Sequence, residues 1–157
     1  MSNCNEMDSY FMHKAYMLAE KSIAYNEVPI GAVVVYNGKV VGEGYNRKEA
    51  FGNPLYHAEI IAIQEALNYM KDWRLNNVIL YVTAEPCIMC CGAILQFRIG
   101  EVVFGVSEPK FGGIISQAKI FDITSLNHNV KYRYGIRDKE IRKMMKDFFK
   151  DLRDKKK

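Results

Sequence analysis

The sequence predicts an α/β protein, built as a three-layer α/β/α sandwich around a five-stranded mixed sheet. Apolar residues recur along the chain at helical and at strand spacing, in the order αββαβαβαβα. The chain has no internal repeat and no low-complexity linker that would interrupt this order. A chain of 157 residues, 49% of them hydrophobic, is sufficient for one core. We therefore expect a single domain over residues 1–157.

The first three elements are a helix and a hairpin. Asp8-Ser9 is a helix-capping pair, which predicts a helix that starts there and runs to about Tyr25. The apolar run 28–36 predicts a buried strand. Asn37-Gly38 is a strong signal for a two-residue turn, so residues 39–45 are expected to return as the antiparallel partner strand.

The later elements follow from the same two spacings. Pro86 suits the first turn of a helix, and the apolar side chains of residues 141–152 recur every three or four positions, as on one packed helix face. A glycine-rich loop is expected at 109–113. The predicted segments are a helix over 56–70, a strand over 77–82, a helix over 86–98, a strand over 101–106, a short helix over 116–121, a strand over 130–134 and a helix over 138–157.

The charge of the chain is concentrated at its C-terminal end. Residues 138–157 contain nine Lys or Arg and five Asp or Glu, a surplus equal to the net charge of the whole chain, +4. A basic amphipathic helix on a neutral body suits contact with phosphates. No apolar run approaches the roughly 20 residues that span a bilayer, and residues 1–8 are polar, so we expect a cytoplasmic protein.

Four residues in two short motifs predict a catalytic metal site. His57 and Glu59 lie at the start of one predicted helix, and Cys87 and Cys90 at the start of another. One imidazole and two thiolates form a zinc ligand set, and three protein ligands leave the fourth tetrahedral position to water. Glu59 is close enough in sequence to flank the metal without binding it, as a general acid/base should.

Other interpretations of the cysteines stay open at this point. A Pro-Cys-x-x-Cys segment by itself is also found in redox dithiols and in structural zinc knuckles. Cys91 is a further candidate ligand, although ligation through it would change the usual spacing of the motif. Glu59 separates the alternatives, because neither a thiol-redox protein nor a non-catalytic zinc or RNA-binding module needs it.

The chain resembles the bacterial tRNA-specific adenosine deaminases, members of the cytidine/deoxycytidylate deaminase superfamily, over nearly its whole length. His-x-Glu followed by Pro-Cys-x-x-Cys is the motif of the zinc nucleobase deaminases. The basic Phe-Phe-x-x-Leu-Arg tail indicates the tRNA enzyme in particular. The stretches that carry the resemblance are 27–32, 42–46, 83–87, Ser116, 127–128 and 148–153.

This resemblance implies a cytidine deaminase-like fold, a homodimer with one Zn²⁺ per chain, and hydrolysis of adenosine to inosine at the wobble position of a tRNA anticodon. By position, the metal ligands are His57, Cys87 and Cys90, and Glu59 moves protons while zinc-bound hydroxide attacks the base. Asn46 is implied to hydrogen-bond the target base. The remaining substrate contacts are expected from Glu108, Lys110, Phe149 and Arg153.

Several residues depart from the pattern of the family. Tyr56 stands where the family has a small residue, Glu108 replaces the usual Asp beside the ribose, and Ile115 makes its loop bulkier. The sequence therefore leaves open which tRNA is used and how broad the substrate range is. A deaminase of a free purine base or nucleoside, such as guanine, is the alternative within the same enzyme class.

Overall fold

The computed structural model describes residues 2–156, with side chains from residue 6 onward. It contains five α-helices and five strands, and one 3₁₀ turn at Ile120–Asp122. The elements in chain order are α1 (Ser2–Ile23), β1 (Gly31–Tyr36), β2 (Lys39–Tyr45), α2 (Lys48–Phe51), α3 (Ala58–Met70), β3 (Val78–Ala84), α4 (Ile88–Gln96), β4 (Glu101–Val106), β5 (Lys131–Tyr134) and α5 (Asp138–Lys155).

The strands form one mixed sheet in the order β2-β1-β3-β4-β5. β1 pairs antiparallel with β2 and β3, whereas β3, β4 and β5 run parallel to one another. Both faces of the sheet are covered, and for this reason the central strands are buried along almost their whole length. The predicted five-stranded α/β/α sandwich is confirmed.

The side chains of β1 show how the sheet separates two cores. Val33 and Val35 pack with α1 and α5 on one face, while Ala32 and Val34 pack with α3 and α4 on the other. This alternation is the period-two pattern of a strand that is buried on both sides. The two helix pairs therefore form the outer layers of the sandwich.

Two glycines of β2 let α3 lie directly on the sheet. A Cβ at Gly42 would lie 2.1 Å from the carbonyl oxygen of Ala62, and one at Gly44 would lie 2.3 Å from that of Ala58. Any side chain at these positions would push the helix away. The first turn of α3, which carries the predicted metal-site residues, is thus fixed against the sheet by contact with its backbone.

The predicted start of the first helix is wrong. Asp8 and Ser9 do not cap it, because α1 already begins at Ser2. Asp8 is 2% exposed and accepts hydrogen bonds from the Tyr81 hydroxyl at 2.7 Å and from the guanidinium of Arg133. Its capping-type side chain therefore serves a buried polar network between α1 and the sheet.

Smaller differences concern element ends and one helix. The predicted helix at 116–121 is only the 3₁₀ turn, since the backbone amide of Ile120 bonds to the carbonyl oxygen of Gly113 instead of that of Ser116. The short helix α2 was not predicted. The basic helix ends at Lys155, and Lys157 lies outside the described residues. Within residues 2–156, no helix is long and apolar enough to cross a membrane.

Candidate active site

The N-termini of α3 and α4 meet at one end of the sheet. His57 is the N-cap residue of α3 and Cys87 is that of α4, with Cys90 one turn further along. The Nδ1 atom of His57 lies 3.7 Å from the Sγ of Cys87 and 3.6 Å from the Sγ of Cys90. The convergence of the two predicted helix starts is therefore confirmed.

These three side chains fit a metal ion. Their ligand atoms all lie within 4.8 Å of one another, as required of groups that share one ion. Over the part of the chain that the structure describes, no fourth His, Cys, Asp or Glu joins the cluster. His128, for example, contacts the carbonyl oxygen of Ile99 at 2.7 Å. The donor set is that of a catalytic site with one open position.

The acid–base state of the cluster also suits a cation. The neighbouring thiol of Cys90 and the imidazole of His57 lower the pKa of Cys87 to about 4. A hydrogen bond with Cys87 raises the pKa of His57. A separate hydrogen bond with Cys87, together with burial, raises the pKa of Cys90. One thiolate is therefore already present at neutral pH, and a bound cation would favour the second.

Glu59 is a buried carboxylate beside the three donors. It lies in the first turn of α3 and is 3% exposed. Its Oε1 has no hydrogen-bond partner among the described residues. Burial raises the pKa of Glu59 to about 7. A carboxyl group that changes protonation near neutral pH, with one oxygen free of hydrogen bonds, can both take up and release protons.

The metal donors open into a cavity of about 520 Å³. His57, Glu59 and Cys87 line its floor, and α5 contributes Phe148 and Leu152 to its wall. This volume lies within the range of small-molecule sites. The cavity can therefore hold one flat heterocyclic ring next to the reacting groups.

Asn46 lies at the edge of this cavity and ties two elements together. Its Nδ2 donates to the carbonyl oxygen of Val28 at 3.2 Å, and its Oδ1 accepts from the backbone amide of Ala58 at 3.0 Å. Asn46 thus joins the end of β2 to the N-terminus of α3. An amide side chain has further hydrogen-bonding capacity beyond these two bonds.

The other predicted substrate contacts are placed unevenly around the cavity. Glu108 lines it. Lys110 and Arg153 are exposed and do not belong to its wall. Phe149 is 39% exposed, and its neighbour Phe148 occupies the cavity wall. The predicted core packing of the apolar face of α5 thus holds for the inner side chains, while Phe149 remains available at the surface.

The residues that depart from the family pattern are not part of the donor cluster. Tyr56 packs on Phe51, with their ring centroids 5.0 Å apart. The backbone amide of Ile115 donates to a glutamate side chain at 2.8 Å. Cys91 is fully buried, and its Sγ lies 3.7 Å from the carbonyl oxygen of Pro86. Cys91 is therefore a packed side chain of α4 outside the donor cluster.

Sequence reasoning missed two buried carboxylates that shape the cavity. Glu27 accepts hydrogen bonds from the backbone amides of Glu49 and Ala50, at the start of α2. Glu85 binds the backbone of residues 108–116. Although burial opposes it, hydrogen bonds from Ser116 and from backbone amides lower the pKa of Glu85. Both lie in stretches that resemble the family, but nothing in the sequence shows their partners.

Three metal donors beside a buried glutamate are the groups that zinc-dependent deamination requires. The chain belongs to the MafB19-like deaminase family, whose model matches residues 6–153. Within the deaminases, tRNA-specific adenosine deaminases of several bacteria are about 40% identical to this chain.

Two of these relatives and one solved structure illustrate the similarity. The tRNA-specific adenosine deaminase of Streptococcus pyogenes serotype M1 is 41% identical, over 97% of this chain and 89% of its own length. That of Bacillus subtilis strain 168 is 38% identical, over 96% and 93% respectively. A structure from a study of A-to-I editing by tRNA:A34 deaminases superimposes with a TM-score of 0.83 and 34% identity, over 86% of this chain and 98% of that one.

Proposed function

We propose that this protein hydrolyses adenosine to inosine at the wobble position of a tRNA anticodon, with one zinc ion per chain. The observation that carries this proposal is the placement of three metal donors beside Glu59, a buried carboxylate whose Oε1 lacks a hydrogen-bond partner within the described residues. Similarity to tRNA-specific adenosine deaminases along almost the whole chain supports the choice of substrate.

His57, Cys87 and Cys90 would hold the zinc ion. When bound, zinc acts as a Lewis acid that lowers the pKa of a water molecule from 15.7 to about 7. The position of the two cysteines favours zinc binding, because Cys87 is the N-cap residue of α4 and Cys90 lies in its first turn, where the helix dipole and free amides stabilise thiolates.

Glu59 would move the protons of the reaction. Its carboxylate accepts a proton from the attacking water and delivers it to N1 of adenine as oxygen bonds to C6. The second proton of the water then passes through Glu59 to the amino group, the C6–N bond breaks, and ammonia leaves. Because the cavity keeps Glu59 away from bulk solvent, the proton stays available for the leaving group.

The substrate side of the site would combine base and phosphate contacts. We propose that Asn46 hydrogen-bonds the target base through the polar capacity that Val28 and Ala58 leave free. Glu108 would face the ribose, and Lys110, Phe149 and Arg153 would contact the anticodon loop. In this proposal residues 1–157 act as one domain, and the basic helix binds RNA outside the cavity.

We also propose that the protein works as a homodimer in the cytoplasm. The resemblance to the family supports the dimer, and the proposed tRNA substrate supports the location. Leu55 and Ile88 are more than half exposed, and each lies within two residues of a metal ligand, where a second subunit could cover them. Light scattering after size-exclusion chromatography distinguishes a dimer from a monomer of 18.1 kDa.

The function is tested with an anticodon stem-loop that carries adenosine at the first anticodon position. The expected result is one inosine and one ammonia per substrate, with turnover that falls steeply as salt rises, because phosphate contacts release counterions. The control is a stem-loop with guanosine at this position. High, salt-insensitive activity on free guanine together with an unreacted stem-loop would overturn the proposal in favour of a purine-base deaminase.

A further inference from the structure

Glu85 is a buried carboxylate that the proposed chemistry does not use. It is 3% exposed and lies two residues before the ligand Cys87. Both of its oxygens accept hydrogen bonds from a single segment, residues 108–116. The donors to Oε1 are the amide of Glu108 at 3.0 Å and the hydroxyl of Ser116, and the donors to Oε2 are the amides of Ile114, Ile115 and Ser116 at 3.0, 2.8 and 3.0 Å.

These five bonds use all the accepting capacity of one carboxylate, which offers about four lone-pair sites, so that one site is shared by two donors. Hydrogen bonds to a charged acceptor are shorter and stronger than neutral ones. The donors come from both ends of the segment, at 108 and at 114–116. Glu85 therefore closes residues 108–116 into a loop whose two ends are held at one point.

The backbone joins the same segment to the metal-site residues. The amide of Gly113 donates to the carbonyl oxygen of Pro86 at 2.8 Å, and Cys87 forms an isolated antiparallel bridge with Gly112. A Cβ at Gly112 would lie 2.4 Å from the carboxylate of Glu85. Glycine at this position thus gives the carboxylate the room to reach its donors.

The segment in turn supplies part of the cavity wall. Glu108 and Phe111 line the cavity. Phe111 is 67% exposed, so packing alone holds it weakly. The segment has turns and no regular helix or strand. Its position relative to the metal donors therefore depends on its bonds to Glu85 together with the backbone pairing to Pro86 and Cys87.

We propose that Glu85 is a positioning residue, which holds residues 108–116 at a fixed distance from the metal donors so that Glu108 and Phe111 meet the substrate in place. This inference rests on the proposed function, because it assumes a nucleic-acid substrate in the cavity. Glu85 also lines the cavity, but it does not belong to the donor cluster, and both of its carboxylate oxygens are bonded to residues 108–116.

Two variants break the anchor in different ways. Glu85→Gln keeps the shape of the side chain but turns an acceptor into an NH₂ group that faces backbone donors. Gly112→Ala keeps the charge of Glu85 and displaces its carboxylate. The matched control is Asp8→Asn, which damages another buried carboxylate, 2% exposed, whose partners are Tyr81 and Arg133 on the α1 side of the sheet.

Hydrogen exchange of the metal-loaded protein without substrate measures the anchor directly. In both anchor variants, we expect the amides of residues 114–116 to exchange at least about tenfold faster than in the wild type, since their acceptor is lost. Asp8→Asn should leave these amides unchanged relative to the rest of the chain. Unchanged exchange in Glu85→Gln and Gly112→Ala would overturn the inference.

Kinetics on the stem-loop distinguish positioning from general destabilisation. A displaced substrate wall should raise KM between about tenfold and about a hundredfold, with zinc content at the wild-type value. If Glu85 only stabilised the fold, its substitution would lower the fraction of active protein, and hence the apparent kcat, without changing KM. We expect this pattern for Asp8→Asn. Such a pattern in Glu85→Gln would overturn the positioning role.

The outcome for the wild type separates this inference from the proposed function. If wild-type protein leaves the stem-loop unreacted, the proposed function fails, and with it the part of the inference that concerns substrate. The exchange experiment uses no substrate and still decides whether Glu85 holds residues 108–116. If the wild type is active and the anchor variants match it in both KM and exchange, only the inference fails.

Discussion

Replacing Glu59 by glutamine is expected to raise the free energy of unfolding of the metal-free protein. The same substitution should remove most of the activity of the zinc-loaded protein. The substitution keeps the size of the side chain and eliminates its charge. Glu59 is buried, and its Oε1 has no hydrogen-bond partner in the part of the chain that the structure describes. An ionised carboxylate that is buried with an unbonded oxygen lowers the stability of the fold. We expect such a cost for a catalytic group.

The magnitude follows from the pKa. Burial raises the pKa of Glu59 from 4.5 to about 7. Below pH 4.5 the carboxyl is neutral in folded and unfolded chains alike, so it costs nothing. Between 4.5 and about 7 only the unfolded chain releases the proton, and stability falls by about 1.4 kcal/mol per pH unit. Above pH 7 the loss is complete, at roughly 3 kcal/mol.

Urea denaturation of chelator-treated protein measures this difference. The free energy of unfolding of Glu59→Gln should exceed that of the wild type by about 1 kcal/mol at pH 5 and by roughly 3 kcal/mol at pH 8. Glu20→Gln, a change at an exposed position of α1, is the control and should show no such trend. A gap that stays constant between the two pH values would refute the reasoning.

The activity of the same variant completes the test. With zinc restored, turnover of the stem-loop should fall by about 10²- to 10⁴-fold, the usual contribution of a general acid/base. Zinc content should remain at one ion per chain, because Glu59 is not a donor in the cluster. Unchanged turnover would remove Glu59 from the mechanism.

Five further substitutions test other parts of the molecule. Cys90→Ala should abolish zinc binding, while Cys91→Ala should retain one ion per chain as measured by mass spectrometry, because only the first is in the donor cluster. Gly42→Ala should lower the free energy of unfolding by about 1–3 kcal/mol or more in urea, because its Cβ would strike the backbone of α3. Hydrogen bonds lower the pKa of Glu85, so its carboxylate stabilises the fold above pH 4.5, and the stability gap between wild type and Glu85→Gln should narrow as acid protonates it. Arg153→Ala should weaken RNA binding and reduce the slope of log K against log salt by about one, as filter binding at several salt concentrations measures.

Each of these predictions has a contrary outcome and, where the chain offers one, a control. If Cys91→Ala lost zinc and Cys90→Ala kept it, Cys91 would be the metal ligand and Cys90 would not. Gly92→Ala is the control for Gly42, since a Cβ there meets nothing within 4 Å among the described residues, and equal effects would contradict the packing argument. If the difference in stability between wild type and Glu85→Gln widened in acid, the conclusion that the charged carboxylate of Glu85 stabilises the fold would be wrong. Lys39→Ala, at the end of β2 away from the cavity, is the control for Arg153→Ala and should leave the slope of log K against log salt unchanged. If both variants reduced the slope equally, the proposed binding of RNA by α5 would be contradicted.

Local patterns were enough to predict most of the fold. The Asn37-Gly38 turn specifies a hairpin through backbone conformation alone, and both residues adopt positive φ in the structure. The helix that carries Ile141 and Phe148 was predicted from its apolar spacing. The metal site was predicted because its donors are chemically distinctive and lie at the starts of helices.

The errors share one physical origin, namely partners that are distant in sequence. Asp8 has the side chain of a helix cap, but its partners Tyr81 and Arg133 lie in β3 and β5. In the segment expected to form a helix at 116–121, the amide of Ile120 bonds to Gly113 instead of Ser116, and the amide of Ser116 bonds to Glu85, 31 residues earlier. Propensity describes the chain locally, whereas a buried polar group binds whatever the fold brings to it.

X-ray absorption at the zinc edge of the purified protein tests the central claim most directly. We expect two sulfur ligands at about 2.3 Å, one nitrogen ligand at about 2.0 Å and one further light atom from water. This environment would show a site with one open position beside Glu59. A third sulfur, from Cys91, or a second imidazole would mean a closed structural site, and would contradict the assignment of this protein as a metal-dependent deaminase.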